Sequence, residues 1–411
     1  MITPRSDMDK EENKKIEDSK EQSEDEKLEK NPAEAETPAE VAEDKEKKQD
    51  ETNQKQFSKK SVAYKVALFL LITVIAFSII FSFTDLNEVW DAITKVQGTN
   101  MWIAAGCIIV YMLIWPLSLV LIARVKKIKA TPFDTYLIGG TEHFFNGVTP
   151  FSTGGQPFQV YAYTKVGVKA ADSTGMILMN FIAYMIATNA FAIASLFFYG
   201  DFSVNFNSST KWIIILGFVM NFLTLAFMIC MATCKWVRDV FTAALKGLCK
   251  VKWIGKHLTK AIPMFEQYCD NAQLAAKEVF SHKWLFMSAV LIKLVDLVFY
   301  YAIPFFILRA LGVHVEWSQI YLFILASSFA ITTMVWVPTP GGTGGIEMAF
   351  TMIFSALAVG VNASVVSGAM LLWRALTYYF LMLLSFLEYL WYKARVRRRN
   401  SKEKKEASEA K

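Results

Sequence analysis

Between residues 61 and 392 the chain alternates apolar runs with short polar breaks. The runs occupy about 63–83, 101–123, 174–199, 211–233, 284–308, 317–336, 343–360 and 364–392, the seventh being the weakest. Each approaches the length of about 20 residues that a helix needs to cross the hydrocarbon core of a bilayer. The pattern predicts an all-α integral membrane protein of about eight transmembrane helices. Between the first two runs, Asp85 to Gln97 is short and amphipathic and carries Trp90, which suits a helix lying in the interface.

Averaged composition hides this division, because residues 1–60 are a different material. They hold 13 Lys/Arg and 19 Asp/Glu of the chain's 43 and 37, and they lack any apolar run. Such a segment buries too little surface to offset the entropy of ordering, and it reads as a charged, solvated cytoplasmic tail. No apolar stretch follows Met1, so the expectation is that no leader is cleaved and that the first span directs insertion. Residues 61–392 then form the membrane domain, and 393–411 a basic cytoplasmic tail.

Basic residues collect on the cytoplasmic side of spans. Arg124, Lys126, Lys127 and Lys129 follow the second run, and nine Lys/Arg lie between Lys235 and Lys283, which makes 234–283 a cytoplasmic loop. The tail from Lys393 adds nine more, whereas the loops 84–100, 200–210, 311–316 and 361–363 contain only Lys95. Both termini are therefore expected in the cytoplasm of a multi-pass cell-membrane protein, and an even number of crossings follows.

The stretch 133–165 begins and ends beside basic residues, so it must enter and return on one side. A re-entrant Gly/Pro-rich hairpin satisfies this if its irregular centre is covered by protein or faces a wet cavity. That centre reads Thr149-Pro150-Phe151-Ser152-Thr153-Gly154-Gly155, and 190 residues later the chain reads Thr339-Pro340-Gly341-Gly342-Thr343-Gly344-Gly345, identical at five of seven positions. The second loop, 337–347, is approached from the opposite side. The pattern is that of an inverted internal repeat, the architecture in which broken helices meet near the midplane. Because the run 317–336 is long enough to cross fully, the second loop is re-entrant only if that run stops short.

A helix restarts after each motif. Thr153 and Gln156 have capping-box spacing with Pro157 in the first turn, whereas Thr343 can cap but has Glu347 one residue too late for the box. Each restart would expose backbone amides and the positive end of a helix dipole, an arrangement that attracts an anion such as phosphate. The candidate binding residues are therefore Thr153, Gly154, Gly155, Gln156, Thr343, Gly344, Gly345, Glu347 and Arg374. Arg374 suits a phosphate by bidentate hydrogen bonding, or it pairs with Glu347 to hold two helices in register.

Ionisable groups at membrane depth are costly and mark pathways or structural pairs. Lys293 and Asp296 share one helical face with Tyr300, as a mutually neutralising pair or as a proton or substrate site. Glu142 and His143 precede the first motif as a local pair or a polar relay. Asn180, Tyr184 and Thr188 form a polar stripe that either packs against a neighbouring helix or lines a cavity. No catalytic constellation, metal-site spacing or phosphate-loop motif is present, so no cofactor is expected, and nucleic-acid binding has no support beyond basic loops that orientation explains. Five scattered cysteines argue against disulfides.

The runs Phe144 to Tyr161 and Pro338 to Glu347, with Arg374 in the following helix, resemble the lysylphosphatidylglycerol synthase transmembrane region family, including the flippase half of the bacterial multiple peptide resistance factor. The resemblance covers about residues 60–392. It implies a lipid translocase that moves a phospholipid such as aminoacyl-phosphatidylglycerol, or another lipid-linked headgroup, between leaflets, with a link to antibiotic resistance. Family members of full length add a soluble domain that transfers lysine to phosphatidylglycerol, and this chain is expected to lack it. The alternatives are a membrane-embedded phosphatidylglycerol lysyltransferase-type enzyme and a membrane partner of a separate lipid synthase.

Overall fold

The structure is a computed structural model. It describes residues 98–125, 128–149, 152–197, 208–249, 281–334, 339–357 and 361–409, with isolated positions at 90–96 and 262–277. All of them belong to the unit Val66–Lys411. The charged tail, the apolar run 63–83 and most of the interfacial segment lie outside the described residues.

The protein is all-helical and multi-pass. Among the described residues, four stretches are long and apolar enough to span a membrane: Gly98–Arg124, Ala170–Phe197, Lys283–Ala310 and Ala363–Lys402. The first is two helices, α1 (Gly98–Ile114) and α2 (Leu117–Val125), broken at Trp115-Pro116 because proline has no N–H to continue the ladder. A hairpin follows, formed by α3 (Pro132–Gly140), α4 (Glu142–Gly147) and α5 (Gly155–Thr164). Thr131 starts α3 by accepting the Asp134 N–H, with Pro132 in the first turn where its missing donor costs nothing. The limb α3–α4 packs against α5.

Next come α6 (Ala170–Phe197), α7 (Ser208–Thr233) and α8 (Lys235–Leu248). The axis bends by 105° between α7 and α8. The central element is α9 (Lys283–Ala310), which packs against α1, α2, α6, α10 (Ile320–Met334) and α12 (Ala363–Arg374). Its position explains the buried apolar cluster of Ile303, Phe305, Ile307 and Leu308.

Two expected spans are covered only in part, since residues 335–338 and 358–360 lie outside the described residues. Helix α10 has 15 residues and α11 (Gly345–Leu357) has 13. The two pack on each other, with the second Gly-rich motif between them.

After α12 the chain winds through a π-helical turn, Ala375–Phe380, into α13 (Leu381–Glu409). One face of this last helix is bonded along the whole hairpin. Tyr378 Oη donates to the Gly147 carbonyl (2.9 Å), Ser385 Oγ to Gly140 (2.6 Å), Tyr392 Oη to Ala162 (3.0 Å) and Arg399 Nη2 to Lys165 (2.8 Å). The Phe144 N–H donates to Ser385 Oγ (2.9 Å), and Arg395 pairs with Asp134 (2.5 Å). Gly140 lets the Glu388 carboxyl group lie directly against the backbone, where a Cβ would push it aside.

Candidate functional site

The two Gly-rich loops meet. Helix α4 packs against the Pro340–Gly342 turn of the second motif. The Tyr378 ring fills the junction, donating its hydroxyl to Gly147 at the head of the first motif and lying against Gly341 of the second. Gly341 has φ +61° and Gly344 φ +93°, left-handed conformations that side-chain-bearing residues rarely adopt. At Gly341 a Cβ would in addition overlap Tyr378.

The amides at the restarts are not bare, contrary to the simplest expectation from sequence. The Gly154 N–H donates to Thr149 Oγ1 (2.8 Å), and the Gly155 N–H to Asn146 Oδ1 (2.8 Å). At these two amides the acceptors are side chains of the preceding limb, and α5 has no side-chain cap from Gly154. Thr153 is exposed and Gln156 half-buried on the first turn, while Gln159 is fully buried.

In the second motif the helix starts one residue later than the spacing from Thr343 suggested. Gly344 precedes α11, so Glu347 is its third residue and accepts the Gly344 N–H (2.7 Å). Thr343 is buried, and its carbonyl accepts the Thr339 hydroxyl (2.7 Å), closing the loop. Gly345 is also buried.

Glu347 and Arg374 form a buried ion pair, Nε to Oε1 at 2.5 Å, with the side chains 2% and 5% exposed. Arg374 Nη2 also donates to the Gly341 carbonyl (3.2 Å), and the guanidinium lies 4.9 Å from the Tyr378 ring centroid. Of the two readings for Arg374, the structure contains the pair with Glu347. The π-turn that follows Arg374 places it and Tyr378 together on the second loop, as such interruptions do at many functional sites.

A second charged cluster surrounds the Trp115 break. Lys293 Nζ donates to the Trp115 carbonyl (2.8 Å) and sits 3.3 Å from that indole's centroid. The indole N–H donates to Glu142 Oε2 (3.2 Å), which also accepts from Gln159 Nε2 (3.3 Å). Rings of Tyr111, His143, Tyr184 and Tyr300 complete the wall. Lys293 and Asp296 are both fully buried, yet neither Asp296 oxygen accepts a hydrogen bond among the described residues, and His143 Nε2 has none either. The local Glu142–His143 pairing is therefore replaced by one in which Glu142 bonds Trp115 and Gln159.

In the polar stripe, Asn180 takes the packing role: its Oδ1 accepts from Ser118 Oγ of α2 (2.6 Å). Sequence reasoning missed the contribution of α13. Tyr378, Ser385, Tyr392 and Arg399 are spaced by seven, a period that keeps residues on one face of a packed helix and that was readable beforehand.

A model of the lysylphosphatidylglycerol synthase transmembrane region matches residues 62–385. The chain belongs to that family. The match takes in both Gly-rich loops, the Trp115 cluster and Arg374. A protein of Mycoplasma pneumoniae described as an uncharacterized MG306 homolog is 23% identical over 338 residues, covering 77% of this chain and 83% of that protein. Family membership gives this membrane bundle a lipid-related setting. It is in that setting that a deeply buried arginine and lysine acquire a functional reading.

Proposed function

We infer that the protein is a lipid translocase, a multi-pass cell-membrane protein with both termini in the cytoplasm, that moves a phospholipid with an anionic headgroup between leaflets. Aminoacyl-phosphatidylglycerol is the finer candidate. The observation that carries the reading is the junction of two broken-helix loops at Tyr378, with the guanidinium of Arg374 beside it. Broken elements of this kind meet at the substrate site of transporters built from repeats, and irregular backbone within a membrane is tolerated where it is covered by protein or lines a cavity. Hairpin 133–165 and the α10–α11 pair are then the two re-entrant elements.

The hydrogen bonds change how the headgroup is held. Glu347 already occupies the guanidinium and one helix-start amide, so it acts as an internal stand-in for an anion. A lipid phosphate would replace the carboxylate on Arg374 while Glu347 kept its bond to Gly344, and return of the carboxylate would release the lipid. An arginine suits this exchange because carboxylate and phosphate compete for the same donor fork.

The test is a leaflet assay in liposomes containing an acyl-chain-labelled phosphatidylglycerol with an intact headgroup, read by chemical quenching of the outer leaflet. Wild type should move the probe, while Arg374→Ala should not and Arg374→Lys should do so slowly. Equal rates for wild type and Arg374→Ala would overturn the reading. In cells, loss of a headgroup species on deletion would favour a lipid-modifying enzyme instead.

A further inference from the structure

The buried charges do not balance, and the imbalance has an address. Among the described residues, the fully buried ionisable acids and bases are Asp134, Glu142, Lys293, Asp296, Glu347 and Arg374, while Glu388 is half-buried beside Gly140 with Oε2 unbonded. Asp134 is matched by Arg395 and Arg399, and Glu347 by Arg374. Two carboxyl groups, Glu142 and Asp296, then face the single ammonium group of Lys293. With all three ionised the cluster would hold a net negative charge inside an apolar bundle, which costs far more than taking up one proton.

Hydrogen bonding distinguishes the two carboxyl groups. Glu142 accepts from the Trp115 indole and from Gln159, donors that stabilise a carboxylate. Asp296 has neither oxygen bonded, although it is fully buried three residues from Lys293 on the same face. The neighbouring elements supply no further charge. Helices α1 and α2 present Tyr111 and Trp115, α6 presents Tyr184, and α9 itself adds Tyr300. Helix α10 carries no charged side chain, α12 offers Arg374 already held by Glu347, and His143 of α4 lies against the Tyr111 and Trp115 rings with Nε2 unbonded, a further titratable group beside the cluster.

We propose that Asp296 is a proton-binding site at the centre of the bundle, neutral in the state described here and ionised when its proton leaves to water on one side of the membrane. Loss of the proton leaves a carboxylate beside the Lys293 ammonium and draws that ammonium away from the Trp115 carbonyl at the helix break. Rebinding from the other side restores the present arrangement. One proton is taken up and one released per cycle, with no other bond made or broken. Resting on the translocase reading, this names its driving ion: lipid movement is coupled to the proton gradient through Asp296, and the displaced element is the α1–α2 break.

Two measurements on the full-length protein in phosphatidylglycerol-containing vesicles separate the site from its use. Infrared difference spectroscopy in H2O and D2O reads the carbonyl stretch of a protonated carboxyl group. Read in a Glu388→Gln background, which removes the other carboxyl group with a buried unbonded oxygen among the described residues, the expected band is present with Asp296 intact, persists in Glu142→Gln, shifts in Asp296→Glu and is absent in Asp296→Asn. Absence of the band with Asp296 intact, or its survival unchanged in both Asp296 variants, would refute the site. In the leaflet assay, an imposed pH gradient should speed the labelled lipid in wild type, while Asp296→Asn should move it at one rate whatever the gradient. A gradient response surviving in Asp296→Asn, or a response to sodium and not to pH, would refute the coupling. If wild type moves no lipid at all, the translocase reading fails while the infrared band still decides the proton site.

Discussion

Removing the Arg374 guanidinium should cost more stability than its contacts suggest, because of what it leaves behind. Arg374→Ala strips Glu347 Oε1 of its partner at 2.5 Å and removes a donor from the Gly341 carbonyl, while Glu347 stays 2% exposed. An uncompensated buried carboxylate typically costs about 3–5 kcal/mol. The orphaned carbonyl adds on the order of 1 kcal/mol. Glu347→Gln should cost a comparable amount, about 3–5 kcal/mol, because the buried Arg374 guanidinium loses its counter-charge and the single amide oxygen can serve either Arg374 or the Gly344 amide but not both. The double variant should recover at least about 2 kcal/mol relative to the sum of the single changes, the coupling expected of contacting charges. Denaturant-induced unfolding of the four proteins in detergent micelles, followed by tryptophan fluorescence, supplies the cycle. Additivity within about 0.5 kcal/mol would refute the claim that the pair, and not two separate contacts, holds the second loop.

Two further outcomes follow from the hairpin contacts. Gly140→Ala places a methyl group on the Glu388 carboxyl group, the movable end of a side chain, and should cost no more than about 1 kcal/mol, with Glu388→Ala in the same chain restoring most of it; thermal unfolding in detergent checks both. Tyr378→Phe deletes the hydroxyl that bonds Gly147 at 2.9 Å and should cost about 1 kcal/mol while slowing the leaflet assay more than the stability change predicts, because the two loops lose their shared contact; unchanged transport would show that the junction is not part of the lipid path.

Much of the design is local and therefore readable from the chain alone. Apolar runs of span length, the Thr131-Pro132 helix start and the Trp115-Pro116 break each depend on residues within one or two turns. So does the repeat of Thr149–Gly155 in Thr339–Gly345, whose glycines include the positive-φ positions 341 and 344. Helix length was less legible. Hydropathy treats the runs near 320 and 350 as full spans, whereas among the described residues α10 runs to Met334 and α11 starts at Gly345. Hydrophobicity measures where a segment can sit, whereas glycine and proline decide where its helix ends.

Partner choice was beyond the sequence for a different reason. Capping rules pair residues three apart, yet Gly154 and Gly155 find Thr149 and Asn146 because the hairpin folds those side chains back onto them. Lys293 and Asp296 look self-sufficient at a spacing of three, but Lys293 points to a carbonyl 178 residues away, which only packing of α9 against the Trp115 break could select. Composition and periodicity determined that this is a helical membrane protein with two matched breaks and a few buried charges. Tertiary structure alone decided which charges are neutralised, because an ion pair depends on distance in space, and a linear spacing constrains that distance only within a single helix.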